Sequence, residues 1–263
     1  MRGEELVSFE DFKKKFGFIP KKIGLVGVER EQFVVDTNGN IVPMAAKVLE
    51  HLSRGGRKRE FGYELSACQV ESRVGPVKIG DLYNQLSTQQ GKMDQVVKSL
   101  GLDFNYHEVG PHDMPLDVYP DPTGRYQKII IDMPREVLLA ACRVMGTHVH
   151  IGMPSIETAI EVYNRVIANT VNLCRMGDHS NGERLAIYKV MAKKWEPKPF
   201  MSPEHFYEVA KEEGFVHDPR KCWYLIRISV HGTIEFRMFG STWNLNEILG
   251  WAKACHKLCF PDW

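Results

Sequence analysis

The sequence predicts an α+β fold built on a mainly antiparallel sheet, and three observations carry that expectation. Strand-like and helix-like stretches alternate, yet several neighbouring strands lie too close together for crossover helices. Apolar residues recur at helical spacing over 79–100: Ile79, Leu82, Leu86, Met93, Val96, Val97 and Leu100. Three separate strand-like segments, Glu29-Arg30-Glu31, His148-Val149-His150 and Glu235-Phe236-Arg237, each place two polar groups two residues apart. Side chains alternate across a strand, so each pair projects from one face. Val149, Ile151, Ile234, Phe236 and Met238 between and beside the last two pairs would pack the other face on a core.

In chain order, Ile23 to Glu29 runs into Gln32 to Val35, and Asn38-Gly39 offers a tight turn before Ile41-Val42, which reads as a β-hairpin. A second strand-like stretch spans 63–72, and the amphipathic helix 79–100 follows. Residues 103–126 are rich in Pro, Asp, His and Tyr without periodicity; a loop of that length in a compact domain is often functional. A short helix at 134–143, a strand at 146–152 and a helix at 156–175 capped by Ser155 come next. The helix near 203–213 has Ser202 as cap, Pro203 at its first position and Gly214 as its stop. Strands at 223–230 and 233–239 and a helix from Asn244 to about Leu258 complete the order.

Composition narrows the class. The 263 residues suffice for a full core, with 43% hydrophobic and 25% charged residues. A formal net charge of +1 gives no general attraction to nucleic acid or an anionic membrane, and no apolar run is long enough to span a bilayer. Met1 to Lys22 lacks an apolar signal-peptide core, and the six cysteines form no CxxC pair. The expectation is a cytoplasmic protein without disulfides, with Cys255 and Cys259 packed in the interior. The basic run Arg54 to Arg59 reads as a solvated loop. Trp195, Trp223 and Trp243 read as core or pocket walls.

The ionisable faces point to chemistry. Glu29, Glu31, Glu64 and Glu71 with His148 would be a costly cluster unless cations neutralised it, and oxygen ligands with an occasional imidazole suit Mg2+ or Mn2+. The pair of strands near the end registers itself. With a three-residue connection, His231-Gly232-Thr233, Ile226, Ile228 and Val230 share a face with Ile234, Phe236 and Met238. Arg227 and Ser229 then share the other with Glu235 and Arg237, whereas a two-residue loop would mix apolar and charged groups. Two arginines beside a glutamate suit phosphate oxygens, because the guanidinium fork binds them bidentately. Glu64 and Glu71 are seven apart, so one regular strand would point them to opposite faces; either a bulge or bend lies between them or only one is a ligand. Arg30 would sit between two ligands or pair with a neighbouring carboxylate.

Taken in order, Gly27-Val28-Glu29-Arg30-Glu31, Tyr63-Glu64-Leu65 through Val70-Glu71, Arg125-Tyr126 and Gly146-Thr147-His148-Val149-His150 resemble the glutamate–cysteine ligase family of the YbdK-like carboxylate-amine ligase type, within the glutamine synthetase-like superfamily. The stretch Gly232 to Phe239, with Ser241-Thr242 and Trp251, is similar to related amidoligases, and the likeness covers about 23–258. The resemblance implies one catalytic domain over 1–263, a curved, mainly antiparallel sheet with helices on its outer face, and ATP as co-substrate. It also implies two or three magnesium ions, one held by Glu31, Glu64 and Glu71 and another by Glu29, His148 and Glu235. Glu29, Glu31, His150 and Arg237 would surround the cofactor. Arg237, Glu235 and Arg227 would serve catalysis, and Arg125, Tyr126 and Arg184 would hold substrate. The implied reaction joins a carboxylate to an amine through an acyl phosphate, with a γ-glutamyl amide as one product. The chain is shorter than typical members of that group, which puts the specific substrates, cysteine above all, outside what the likeness implies. Members of the family often assemble, so a homo-oligomer is an expectation; membrane and nucleic acid are not expected partners. Two other readings compete: a metal-dependent hydrolase using the His-x-His pair, and a catalytically silent binding homologue. A barrel hydrolase would need more chain after His150 than is present. On the ligase reading, Glu29→Ala or Glu235→Ala is expected to abolish turnover and leave the protein folded.

Overall fold

The computed structural model describes residues 7–54 and 60–262. Seven strands, β1 (Val26–Val35), β2 (Phe61–Tyr63), β3 (Gln69–Val77), β4 (Asp103–Asn105), β5 (Gly146–Gly152), β6 (Ile226–Ser229) and β7 (Thr233–Gly240), form one sheet. Its order is β2-β3-β1-β5-β7-β6, with β4 paired to the end of β1, and every pairing is antiparallel. The helices are α1 (Phe9–Lys13), α2 (Ala45–Leu52), α3 (Leu82–Ser99), α4 (Arg125–Ile129), α5 (Arg135–Arg143), α6 (Ile156–Val166), α7 (Thr170–Met176), α8 (Glu183–Met191), α9 (Pro203–Glu213) and α10 (Leu245–Cys259). The α+β class with an antiparallel sheet is therefore borne out.

One face of the sheet is apolar and carries helices. Val26 and Val28 of β1, Val149 and Ile151 of β5 and Ile234 and Phe236 of β7 are buried against α3, α6, α7 and α10. Leu82 and Leu86, one turn apart on α3, join that core; Met93 and Val97, further along the same stripe, pack a second cluster with α2. The Trp251 indole stacks on Phe239 with ring centres 5.0 Å apart. Each such fully buried side chain contributes about 1.5–3 kcal/mol relative to exposure, so this layer holds the opposite, polar face in place. Cys255 and Cys259 lie fully inside it, as expected, and all six cysteines are free thiols.

Local signals fixed several termini. Ser155 and Ser202 accept the N–H groups of Thr158 and His205 to cap α6 and α9, and Gly214 ends α9 at φ +83°. Asn244 caps α10. Helix 156–175 is interrupted by a 3-10 turn at Ile167–Asn169.

Other expectations need correction. The first hairpin is one continuous ten-residue strand, β1; the Asn38-Gly39 turn exists, but the return after it is a single bridge, Val35 to Ile41. The Asp36 carboxylate accepts the backbone N–H groups of Asn38 and Asn40 and takes over the role of a longer ladder. The stretch 63–72 is two strands, with β2 pairing back on β3. The loop 103–126 contains β4. In the final hairpin the connection is Val230-His231-Gly232, shifted by one residue from the expectation, with Gly232 at φ +70°. Ile228 opposes Ile234 and Arg227 opposes Glu235, so the facing sets stand as read. Of the basic run 54–59, residues 55–59 lie outside the described residues. Trp243, 75% exposed, is a pocket wall rather than core, one of the two roles expected of it. Among the described residues no helix is long and apolar enough to cross a membrane.

Candidate active site

Alternation along β1 puts Gly27, Glu29 and Glu31 on the face opposite the helical core, and β5 adds His148 and His150 to it. Antiparallel register then sets the charges in rows. Arg73, Glu29 and His148 are successive neighbours across β3, β1 and β5. Gly27, His150, Glu235 and Arg227 form the next row across β1, β5, β7 and β6, and Glu71 stands opposite Glu31. All three sequence-predicted pairs thus meet on one surface.

Ligand atoms of Glu31, Glu64 and Glu71 lie within 4.8 Å of one another, as do those of Glu29, His150 and Glu235. The first trio is the one expected. In the second, His150 takes the place foreseen for His148. The reason is register: His150 is directly opposed to Glu235, whereas a bulge in β7 leaves His148 beside Arg237. His148 instead bridges the trios, with Nδ1 3.4 Å from Glu29 and Nε2 3.9 Å from Glu31. The odd spacing of Glu64 and Glu71 is resolved without a bulge. The chain reverses between β2 and β3, so strand parity does not apply across the turn and both carboxylates reach the same face. Arg30 neither fills the site nor pairs with its carboxylates. It projects to the other face, bonded to Gln90 with its guanidinium over the Tyr106 ring.

The electrostatics separate the two trios. Burial pushes Glu29 up, but His150 and His148 outweigh it and hold the carboxyl well below the usual carboxylate range. Burial likewise opposes ionisation of Glu235, yet Arg227 and Arg237 keep it strongly acidic. In the other trio burial and mutual repulsion win: Glu64 is pushed well above the carboxylate range by burial and then Glu71, and Glu71 rises to about 8 through burial and Glu29. Burial and Arg237 push the His148 imidazole down, whereas Glu235 and Glu29 overcome burial to raise His150.

A pH dependence follows from Glu71. Its folded pKa is raised, so its contribution to stability is complete below 4.5 and is lost as pH rises through about 8. Without divalent cation, thermal denaturation should show a falling midpoint over that window. Magnesium or manganese should reverse the fall, because it replaces the proton. A midpoint that rises with pH in the cation-free protein would remove this account of the trio.

Glu235 is 0% exposed and receives Arg227 through two bonds, Nε to Oε2 at 2.8 Å and Nη2 to Oε1 at 3.0 Å; Arg237 bonds to it as well. Both arginines are therefore held at the cluster by this carboxylate, and Arg227 also donates to the Arg220 and Cys222 carbonyls. Arg237 keeps a buried Nε without a hydrogen-bond partner. His150 donates to or accepts from Thr233 Oγ1 at 2.8 Å through Nδ1, and its buried Nε2 has no hydrogen-bond partner. Both residues line a 560 Å³ cavity with the carboxylates, Arg125, Tyr126 and Trp223.

The three residues expected at the substrate differ in availability. Arg125 and Tyr126 lie at the start of α4 on the cavity wall, with the guanidinium 5.7 Å from the ring centre. Arg184 also lines the cavity, but its guanidinium donates to three backbone carbonyls, those of Met145, Met238 and Arg237. That is a corrected role: Arg184 ties the end of β5 to β7, packed over Gly146, where a Cβ would collide with it. Arg73 was missed. It pairs with Glu71, and Glu71-x-Arg73 repeats the two-apart pattern that revealed Glu235 and Arg237. Glu108, which packs over Gly240 and accepts the His179 N–H at 2.8 Å, comes from the irregular loop and left no periodic signal.

The antiparallel sheet has one helical face and one face of carboxylates, imidazoles and arginines, donor groups of the kind that can hold cations and anionic ligands. The model of glutamate-cysteine ligase family 2 (GCS2) matches residues 25–170, and the chain belongs to that family. It is 26% identical over 245 residues to the "Putative glutamate--cysteine ligase 2" of Gloeobacter violaceus, covering 85% of this chain and 64% of the relative. Over 242 residues it is 24% identical to the "Putative glutamate--cysteine ligase 2-1" of Rubrobacter xylanophilus, covering 84% of this chain and 62% of that one. The chain thus spans less than two thirds of the length of these relatives. Its fold is similar to the crystal structure of a bifunctional glutathione synthetase from Pasteurella multocida, with a TM-score of 0.64 at 15% identity over 97% of this chain and 39% of that one.

Proposed function

We propose that the chain acts as a single catalytic domain, an ATP-dependent ligase that joins a carboxylate to an amine. The observation that carries this reading is the pairing of two three-ligand clusters on one sheet face with two arginines fixed beside them. The residues present fit divalent cations. Five carboxylates supply hard oxygen donors and one imidazole a nitrogen, the buried His150 Nε2 is 3.5 Å from the Glu29 carboxylate without a hydrogen bond to it, and the Glu31, Glu64 and Glu71 carboxylates repel one another. Glu31, Glu64 and Glu71 would hold one ion, and Glu29, His150 and Glu235 another, with His148 between them. Such ions, of the magnesium or manganese type, would neutralise phosphate charge.

The chain's own residues do the rest. Glu235 and the Arg220 and Cys222 carbonyls hold Arg227, and Glu235 holds Arg237, whose remaining donors meet phosphate oxygens without reorganisation. Arg125, on the cavity wall, fixes a substrate carboxylate. No cysteine lines the cavity, so no thiol nucleophile is offered. In the proposed sequence a substrate carboxylate oxygen attacks the γ-phosphorus of ATP, and ADP leaves. The amine then attacks the acyl carbon and inorganic phosphate leaves. A γ-glutamyl amide is the product that the family name suggests.

The test is ADP release with magnesium-ATP across a panel of carboxylates, glutamate included, and amines, with mass spectrometry of the products. Amide formed in step with ADP is expected. Amide cleavage without ADP would replace this reading with a hydrolase, and no ADP with any pair would overturn it.

A further inference from the structure

The cavity has two chemically different walls. The sheet supplies the charged floor, while Ile129 of α4, Met133, Val137 and Ala141 beside and on α5, and Met191 and Trp223 supply apolar lining. Ile129 and Trp223 remain 42% and 41% exposed. Clustered apolar side chains left open beside a charged site are characteristic of a surface that a ligand covers. In the same cavity the Arg125 guanidinium lies over Tyr126 and makes no ion pair among the described residues. A cation, an apolar wall and a carboxylate-lined reaction centre therefore adjoin in that one cavity.

We propose that the amine substrate is an apolar α-amino acid, of the size of leucine or phenylalanine. Its α-carboxylate meets Arg125, its side chain covers Ile129, Val137 and Trp223, and its α-amine is directed to the charged floor. This inference rests on the ligase reading. The α-amine forms a C–N bond to the acyl carbon, the C–O bond to phosphate breaks with its electron pair going to phosphate, and one proton passes to solvent. A polar side chain would lose hydration against the wall and gain no partner there.

The experiment compares L-leucine, L-phenylalanine, L-cysteine, L-serine and L-lysine as amines, with magnesium-ATP and each carboxylate of the panel. Leucine or phenylalanine should exceed serine in kcat/KM by about tenfold or more. Ile129→Asn and Val137→Asn should each raise the KM for leucine about tenfold and leave the KM for ATP unchanged; Ile129 is already partly exposed, so that variant should fold. Amide formation with ADP that favours serine, cysteine or lysine would overturn the apolar assignment and leave the ligase standing. Unchanged leucine KM in both variants would also overturn it. No ADP with any amine would overturn both readings.

Discussion

Glu235→Ala is expected to abolish turnover and also to cost about 3–5 kcal/mol of stability, the usual penalty for breaking a buried ion pair. Its carboxylate is 0% exposed, and it is the partner of two guanidiniums whose side chains are only 12% and 11% exposed. Removing it leaves Arg227 and Arg237 together with less compensation. Glu235→Gln keeps the volume and one acceptor and should lose less stability while remaining inactive. Urea denaturation of both variants beside ADP release checks this. An alanine variant as stable as the parent would mean that the Arg220 and Cys222 carbonyls and solvent suffice for the arginines and that the buried pair contributes nothing net. The sequence suggested that this variant would stay folded and fail only in catalysis; the buried bidentate pair is what changes that expectation.

Glu29→Gln is expected to be the opposite case, with turnover reduced about 10²-fold or more and stability nearly kept. Glu29 lies where the two clusters meet, within reach of both His148 and His150, at 3.4 Å and 3.5 Å. Its side chain is 22% exposed, and the amide preserves shape and one acceptor while removing the charge that a cation needs. Titration of manganese followed by paramagnetic relaxation, with the thermal midpoint measured in parallel, separates the two effects. Parent-like activity with full manganese binding would take Glu29 out of the site.

Legibility differed from residue to residue for physical reasons. The Glu29/Glu31, His148/His150 and Glu235/Arg237 pairs were readable because alternation along a strand is a local property. The facing sets of β6 and β7 were readable because one wrong step would have put charges in the core. The loop position was misplaced by one residue because a shift that preserves parity leaves the faces unchanged. Helices α2 and α8 were missed, and with α8 went the tie that Arg184 makes to three carbonyls. His150 displaced His148 in the second cluster because the choice depends on a bulge in the partner strand.

By itself, the sequence determined the α+β class, the two-faced sheet and the carboxylate, imidazole and arginine content of one face, since composition and period 2 suffice for these. Only the tertiary structure decided which ligands converge. Convergence depends on inter-strand register and on the reversal between Glu64 and Glu71. It also decided that Glu235 is fully buried beneath its two arginines and that Arg184 supports the sheet, because burial and the carbonyl partners of Arg184 depend on elements far apart in the chain.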